Sequence, residues 1–361
     1  MLRFLKHGFT ICTLLFTGLA FEAHSKAAFE FSEEQSKTAV DILAKLSERH
    51  YRDQKVDDEL SSLVLDKFVL SLDPSKSFFL RADLDEFEVY RDQLDDRFLK
   101  GDLTPGQVIF SRYYERANAR LMGIIEQLAG DQLTFDFNKD EFIEVNVEDQ
   151  AWSADEKHAD NRWRKRLKAN FLSLKLADEP LDKAQQTLLK RYKNQLKRLE
   201  QQDADDVFEG MINALTLLYD PHTSYLSPKT LENFNISMSL SLEGIGAVLQ
   251  AEDEFTKVVR LITAGPADKQ GELSTADKIV AVGQGPEGEY IDVVGWRLDE
   301  VVKLIRGPAN TVVRLSVIPA AAADNSDRKE IMIQRGKVKL EEQAAKKAIV
   351  ELTDGEQLFK I

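Results

Sequence analysis

Ser75 stands beside Lys76, Ser227 precedes Lys229 by two positions, and His222 adjoins Thr223 and Ser224. Each grouping brings a nucleophile type next to a base type. A serine nucleophile needs a base within hydrogen-bond reach and an oxyanion hole. Neither Ser–Lys pair sits in the glycine-rich strand-to-helix turn that exposes a nucleophile. Three adjacent residues rarely aim at one reacting atom, and a lone turn histidine is usually structural. No catalytic residue is assigned. No second histidine or cysteine stands at ligand spacing from His222, so neither a metal nor a cofactor is expected.

The other chemistry-bearing stretch is SLSLEGIGAVLQ, Ser239 to Gln250, where two glycines flank an isoleucine ahead of an alternating apolar run. A dinucleotide loop would need three glycines opening a helix, and here a strand pattern follows two. A plain hairpin turn would not require Gly-Ile-Gly. A carboxylate cradle fits better: successive backbone N–H groups converge on one point, and glycines allow the dihedrals and the close approach. Gly244, Ile245, Gly246 and Ala247 are therefore expected to bind the carboxylate of a peptide C-terminus. The strand after them offers an edge to which the peptide could add. Val248 on that strand, with Leu298, Val302 and Ile305 at i, i+4 and i+7 on one helix face, is expected to line the groove and its pocket. Val301 and Leu304 form the neighbouring stripe and are given to the core.

These positions need two kinds of scaffold. From Phe31 to about Ser227 the apolar spacing is helical. Ser32 with Gln35 reads as a capping box opening a helix through His50. Further helices are expected over Leu60–Leu72, Leu84–Phe98, Thr104–Gly130, Leu181–Leu199 and Val207–Leu218. LDPSKSFFL from Leu72 and YDPHTSYLS from Tyr219 echo each other: Asp-Pro stops a helix, and an aromatic follows the turn. At about Ile236 the composition shifts to short alternating runs, namely AVLQA, KVVRLI, KIVAVG, TVVRLSVIP and EIMIQR, with one helix from about Gly295 to Arg306. PAAAADNSD from Pro319 reads as a hairpin loop.

The order of EGIGAVLQ, GPADKQGELSTADKIVAVGQ and DVVGWRLDEVVKLIRGP resembles a bacterial PDZ domain. With YDPHTSYLSP and a helical region before it, nearly the whole mature chain is similar to the tail-specific, or C-terminal processing, peptidases. That resemblance implies exported serine peptidases of the periplasm, which recognise apolar C-terminal tails of protein substrates through the PDZ domain. It also implies a Ser/Lys dyad in an α/β domain downstream. Here only KVKLEEQAAKKAIVELTDGEQLFKI follows, which looks like the opening strands of that domain, so the chain reads as truncated before its dyad.

The expected fold class is multidomain α+β. Residues 1–25 are expected to be a signal peptide, 26–235 a helical domain, 236–336 the PDZ domain and 337–361 the start of the protease domain. Arg3 and Lys6 precede an apolar run from Gly8 to Phe21, which is short for a span of ~20 residues and suits a cleaved leader. Cys12, the only cysteine, lies within it, so the mature chain has no thiol chemistry. The net charge of −14 argues against nucleic acid as a partner. A periplasmic location, with association at the inner-membrane face and an adaptor protein as further options, follows from the resemblance. A non-catalytic periplasmic PDZ scaffold shares every feature up to Lys337 and stands as the alternative.

Overall fold

The computed structural model describes residues 30–130, 135–144, 146, 150–322, 327–340, 351–354 and 357–360. The leader assigned to residues 1–25 lies outside the described residues, as do residues 323–326 of the loop from Pro319.

The described helices before the first strand are α1 (Glu33–Arg49), α2 (Asp58–Leu72), α3 (Arg81–Phe87), α4 (Leu94–Leu99), α5 (Thr104–Ala129), α6 (Glu156–Leu176), α7 (Leu181–Glu200), α8 (Ala204–Tyr219) and α9 (Pro228–Ser239). Local chemistry explains their starts. Ser32 Oγ accepts from the Gln35 N–H at 3.1 Å, and Gln35 Oε1 accepts from the Ser32 N–H at 2.8 Å. Asp57, Asp155, Asp203 and Ser227 cap α2, α6, α8 and α9 through their side-chain oxygens. The run expected over Leu84–Phe98 is broken by a 3-10 turn at Glu88–Tyr90 into α3 and α4. Two helices were not anticipated. The face of α6 buries Trp163, Leu167 and Phe171 but is diluted by a basic run, and α9 buries none of its residues.

These helices build two apolar cores joined by α5. Ile109 and Phe110, near its start, pack with α1, α2, α4 and α8. Ala117, Leu121, Ile124 and Leu128, further along, pack with α6 and α7. At 1.5 Å per residue its 26 residues run about 39 Å, enough to serve both.

The two Asp-Pro turns end α2 and α8, which pack on each other. Each aspartate turns its buried carboxylate back onto its own turn. Asp73 accepts from the N–H groups of Ser77, Phe78 and Phe79 at 2.9, 2.7 and 3.1 Å. Asp220 accepts from the His222 N–H at 2.7 Å and the Thr223 hydroxyl at 2.5 Å. The sequence echo is thus one device used twice.

The β-rich part holds β1 (Ser241–Gly244), β2 (Ala247–Glu252), β3 (Phe255–Leu261), α10 (Pro266–Gln270), β4 (Lys278–Gln284), β5 (Tyr290–Asp292), α11 (Leu298–Ile305), β6 (Val312–Ile318), β7 (Lys329–Gln334) and β8 (Gly336–Lys339). The main sheet runs β2-β3-β4-β6-β7 with β5 beside β4, so β2 is an edge. Its core gathers Val258, Ile279, Val282, Val301, Val313, Leu315, Ile331 and Ile333. β1 and β8 form a separate antiparallel ribbon, with Gly244 opposite Gly336 and Ser241 opposite Lys339. The expected boundary after residue 336 therefore falls inside a paired strand. β9 (Glu351–Asp354) and β10 (Gln357–Lys360) make a final hairpin. α11 starts at Leu298 rather than Gly295, because Gly295 takes a left-handed φ of +83°.

Candidate functional site

The loop between β1 and β2 is organised by its carbonyls. The Ala267 N–H donates to Ile245 O and the Ile262 N–H to Gly246 O, both at 2.8 Å. Among the described residues, the N–H groups of Ile245 and Gly246 donate to nothing, although both residues are buried. Two successive donors without a protein acceptor are free to bind an oxygen of a ligand. Gly246 has φ +76°, and a Cβ there would lie 3.2 Å from Gly265 Cα, which is backbone and cannot swing aside. The glycine is thus required twice over.

β2 leads away from this loop with its outer edge unpaired, and α11 packs beside it. Ile245, Ala247 and Leu249 alternate toward the β-domain core and α11. Val248 was expected in the groove, but by this alternation it takes the opposite face, and Leu249 holds the inward position. Counting by twos from Ile245 would have found it. On α11, Val301 and Ile305 are sealed in the core, at 0% and 3% exposure. Ile305 can therefore supply only a pocket floor. Leu298 and Val302 stay half-buried at i and i+4 and are the helix residues left to face a ligand.

Arg306 was not singled out from sequence. Its Cγ lies 3.6 Å from where a Gly244 Cβ would stand, so its stem covers the entrance to the loop. Its guanidinium donates to Glu232 Oε1 at 3.3 Å and Asn233 Oδ1 at 3.2 Å on α9. Behind it, Arg335 is buried and donates to the end carbonyls of α11, Leu304 O at 3.0 Å and Ile305 O at 2.8 Å. Burial pulls its pKa down. A guanidinium at a helix C-terminus complements the helix dipole and fixes the end of α11 nearest the loop.

Comparison with known proteins places this geometry in a family. The profile described as the tail specific protease N-terminal domain matches residues 42–229, just over half of the chain. The chain belongs to the tail-specific protease family. A PDZ domain profile matches residues 234–318. The tail-specific protease of Haemophilus influenzae is 37% identical over 320 residues, covering 87% of this chain and 44% of that protein. The chain thus spans less than half the length of that curated relative. The solved PDZ domain of a carboxy-terminal protease from Vibrio cholerae, in complex with a peptide, is 44% identical, covering 28% of this chain and 100% of that one, with a TM-score of 0.27. The photosystem II D1 C-terminal processing protease is 20% identical over 48% of this chain and 44% of that one, also with a TM-score of 0.27.

Within this member of the family the early chemical candidates have structural duties. Ser227 Oγ caps α9 by accepting from the Thr230 N–H, and Lys229 is ion-paired with Asp299. Ser75 Oγ donates to Ser77 Oγ at 2.9 Å. The His222 ring is exposed, and the histidine on Asp220 is His50, 170 positions away in sequence. Its Nδ1 accepts from the Arg52 N–H at 3.1 Å, which leaves Nε2–H to donate to Asp220 Oδ2 at 2.7 Å. Both ring nitrogens of His50 are thus engaged within the fold, in holding the Asp220 turn against the end of α1. Hydrogen bonds from Thr223, the His222 N–H and His50 hold the Asp220 carboxyl below its ordinary range. Among the described residues no cluster of His, Cys, Asp or Glu could hold a metal, and no helix is long and apolar enough to cross a membrane.

The far end of the β2–α11 groove rests on the helical region. Arg297, the cap of α11, donates to Asp206 Oδ2 at 2.5 Å, Asp203 Oδ2 at 3.1 Å and Gln201 O at 2.5 Å. Lys229 pairs with Asp299, and Lys190 and Lys197 reach Asp253 Oδ1 and O at 2.8 and 2.9 Å. Burial would raise the Asp206 carboxyl, but bonds from Arg297 and the Asp203 N–H prevail and hold it low. Both groove walls, the β2–β3 turn and the start of α11, are thus tied to α7 and α8.

Proposed function

We propose that this chain is the substrate-recognition part of a periplasmic carboxy-terminal processing serine protease. The carboxylate of an apolar protein tail accepts the Ile245 and Gly246 N–H groups, with the positive Arg306 close by. The tail continues as a strand along β2. Its last side chain enters the slot between Leu249 and the pair Leu298 and Val302, above Ile245 and Ile305. Residues 1–25 direct export, and the catalytic α/β domain begins after β8. Peptide-bond hydrolysis by a Ser/Lys dyad is proposed for the whole protein, with no dyad residue assigned within these 361 positions. One observation carries the recognition role: two successive N–H groups without acceptors, held by their own pinned carbonyls, at the head of an open edge strand.

The test is titration of a tail peptide ending in apolar residues, as the free acid and as the C-terminal amide. The free acid should bind at least about tenfold more tightly, since charge-assisted bonds contribute about 1.5–3 kcal/mol. Equal affinities would reject the reading.

A further inference from the structure

A second groove lies in the helical region, along α6. A cavity of about 430 Å³ is lined by Ser75, Ser77, Phe142, Ile143, Gln150 and a face of α6 from His158 to Asn170. Asn161, Arg162, Lys165, Arg166 and Ala169 complete that face, at helical spacing. The 12 steps from His158 to Asn170 span about 18 Å at 1.5 Å each. An extended polypeptide advances about 3.3 Å per residue, so five or six residues fit that length.

The charges in the groove are unusual for this chain. On the neighbouring surface of α5, arginines meet carboxylates. Arg112 and Arg116 pair with Asp83, Arg116 and Arg120 with Glu156, and Arg120 also with Asp160, although they line a larger cavity. Along the edge of the groove, Arg164 and Lys168 share Glu141. The three groove cations differ. Arg162 donates to Lys76 O and Ala151 O, both at 2.8 Å, Arg166 to Ser77 Oγ at 2.9 Å, and Lys165 to Phe142 O at 3.3 Å. All these acceptors are neutral. Burial depresses the Arg162 pKa, the charge of Asp73 opposes that, and the neighbouring Arg166 adds to it. Glu144 is the acidic residue of the lining; it is exposed and accepts from the Asn146 N–H. Over this floor stand Phe142, 85% exposed, and Ile143, 48% exposed. An acidic chain of net charge −14 thus keeps a positive groove beside exposed apolar side chains.

We propose that the α6 groove binds an extended acidic peptide segment, its carboxylates on Arg162, Lys165 and Arg166 and an apolar side chain against Phe142 and Ile143. The groove length, the cations that pair with no carboxylate among the described residues, and the apolar rim each match one property of such a segment. A lone phosphate would use the cations but not the length or the rim. The site is independent of the cradle at Gly244–Ala247 and does not rest on its assignment.

The probe is an acetylated, amidated hexapeptide of alternating glutamate and leucine, which offers no free C-terminus to β2. It is titrated against the full chain, beside its lysine–leucine counterpart, inorganic phosphate and phosphatidylglycerol vesicles. The acidic peptide should bind and the basic one should not. Lys165→Gln with Arg166→Gln should weaken binding at least about tenfold, with circular dichroism unchanged. Phe142→Ser, at a position too exposed to matter for folding, should weaken it several-fold. Absence of acidic-peptide binding, or equal binding by the double variant, would overturn the proposal. Vesicle binding that depends on Lys165 and Arg166, without peptide binding, would reassign the surface to lipid and also overturn it.

Discussion

Beside β2 a negative charge would meet the backbone N–H groups of Ile245 and Gly246, whereas along α6 it would meet the side chains of Lys165 and Arg166. Backbone donors are fixed by dihedral angles and by the carbonyl bonds behind them. They cost little to order and tolerate no substitution that alters the turn. Side-chain donors on a helix face adapt to several registers, lose rotamer freedom on binding, and are screened by salt. The first arrangement suits a chain terminus, which has one geometry. The second suits an internal stretch, which has many.

The largest expected effect separates the two grooves outright. Val301 is fully buried in the β-domain core, so Val301→Asp places an unpaired carboxylate there, at about 3–5 kcal/mol. The β domain should unfold and tail binding vanish. The helical circular dichroism and the acidic-peptide affinity should persist, because the cores are separate; joint loss of both would break the comparison. Next, Gly246→Val puts a β-branched side chain at φ +76° against Gly265 and should cost the free-acid tail about 100-fold or more in affinity. Peptide titration reads it, with the α6 site as internal control. Val302→Asp, at a half-buried position, should leave the domain folded and reduce the preference for apolar over polar tails by about tenfold. Retained preference in a folded variant would remove Val302 from the slot.

Solution conditions produce smaller shifts. Raising salt from about 0.05 to 0.5 M should weaken acidic-peptide binding several-fold more than tail binding. Acid should act on the tie between the two regions. The Asp206 and Asp299 carboxyls are held low by Arg297 and Lys229 against the upward push of burial. Their folded pKa values lie below the unfolded value of about 3.9, so their contribution is complete above that pH and is lost as pH falls through the folded values. The tie should hold from about pH 8 down to 5 and release only below about pH 4, with each partly exposed pair worth about 1 kcal/mol or less. A fluorescence distance between labels on α7 and on the β2–β3 turn measures it. Release near neutral pH would show that histidine, not carboxylate, sets the contact.

Much of the fold was legible because its signals are local. Ser32 with Gln35 and the two Asp-Pro turns are written within a few residues, and each marks a helix end where the structure has one. Gly246 stood out for the same reason, and it takes a left-handed φ of +76°. Val248 was misplaced by reading the strand as a block, when its period of two assigns Ala247 and Leu249 inward. Ile305 was read as open lining because helical spacing shows which residues share a face, not how deeply that face is sealed. α9 escaped notice because it buries nothing, although Ser227 and Pro228 are a cap and a first-turn proline. Arg297 with Asp206 lies beyond local pattern altogether: 91 residues separate partners that only the folded chain brings together.

The β1–β8 ribbon gives the β domain one further property. Its first and last strands lie side by side, Ser241 against Lys339 and Gly244 against Gly336, so the polypeptide enters and leaves at one spot. A unit attached in this way can be excised or grafted as a cassette, since the flanking chain needs only to bridge the width of two strands, about 4.8 Å. Deleting residues 241–339 and rejoining the ends through a short glycine linker would stretch neither neighbour. Pulling on the two ends would unzip the ribbon pair by pair before any load reached the sheet that carries β2. Inheritance and mechanics would then treat these residues as one detachable part.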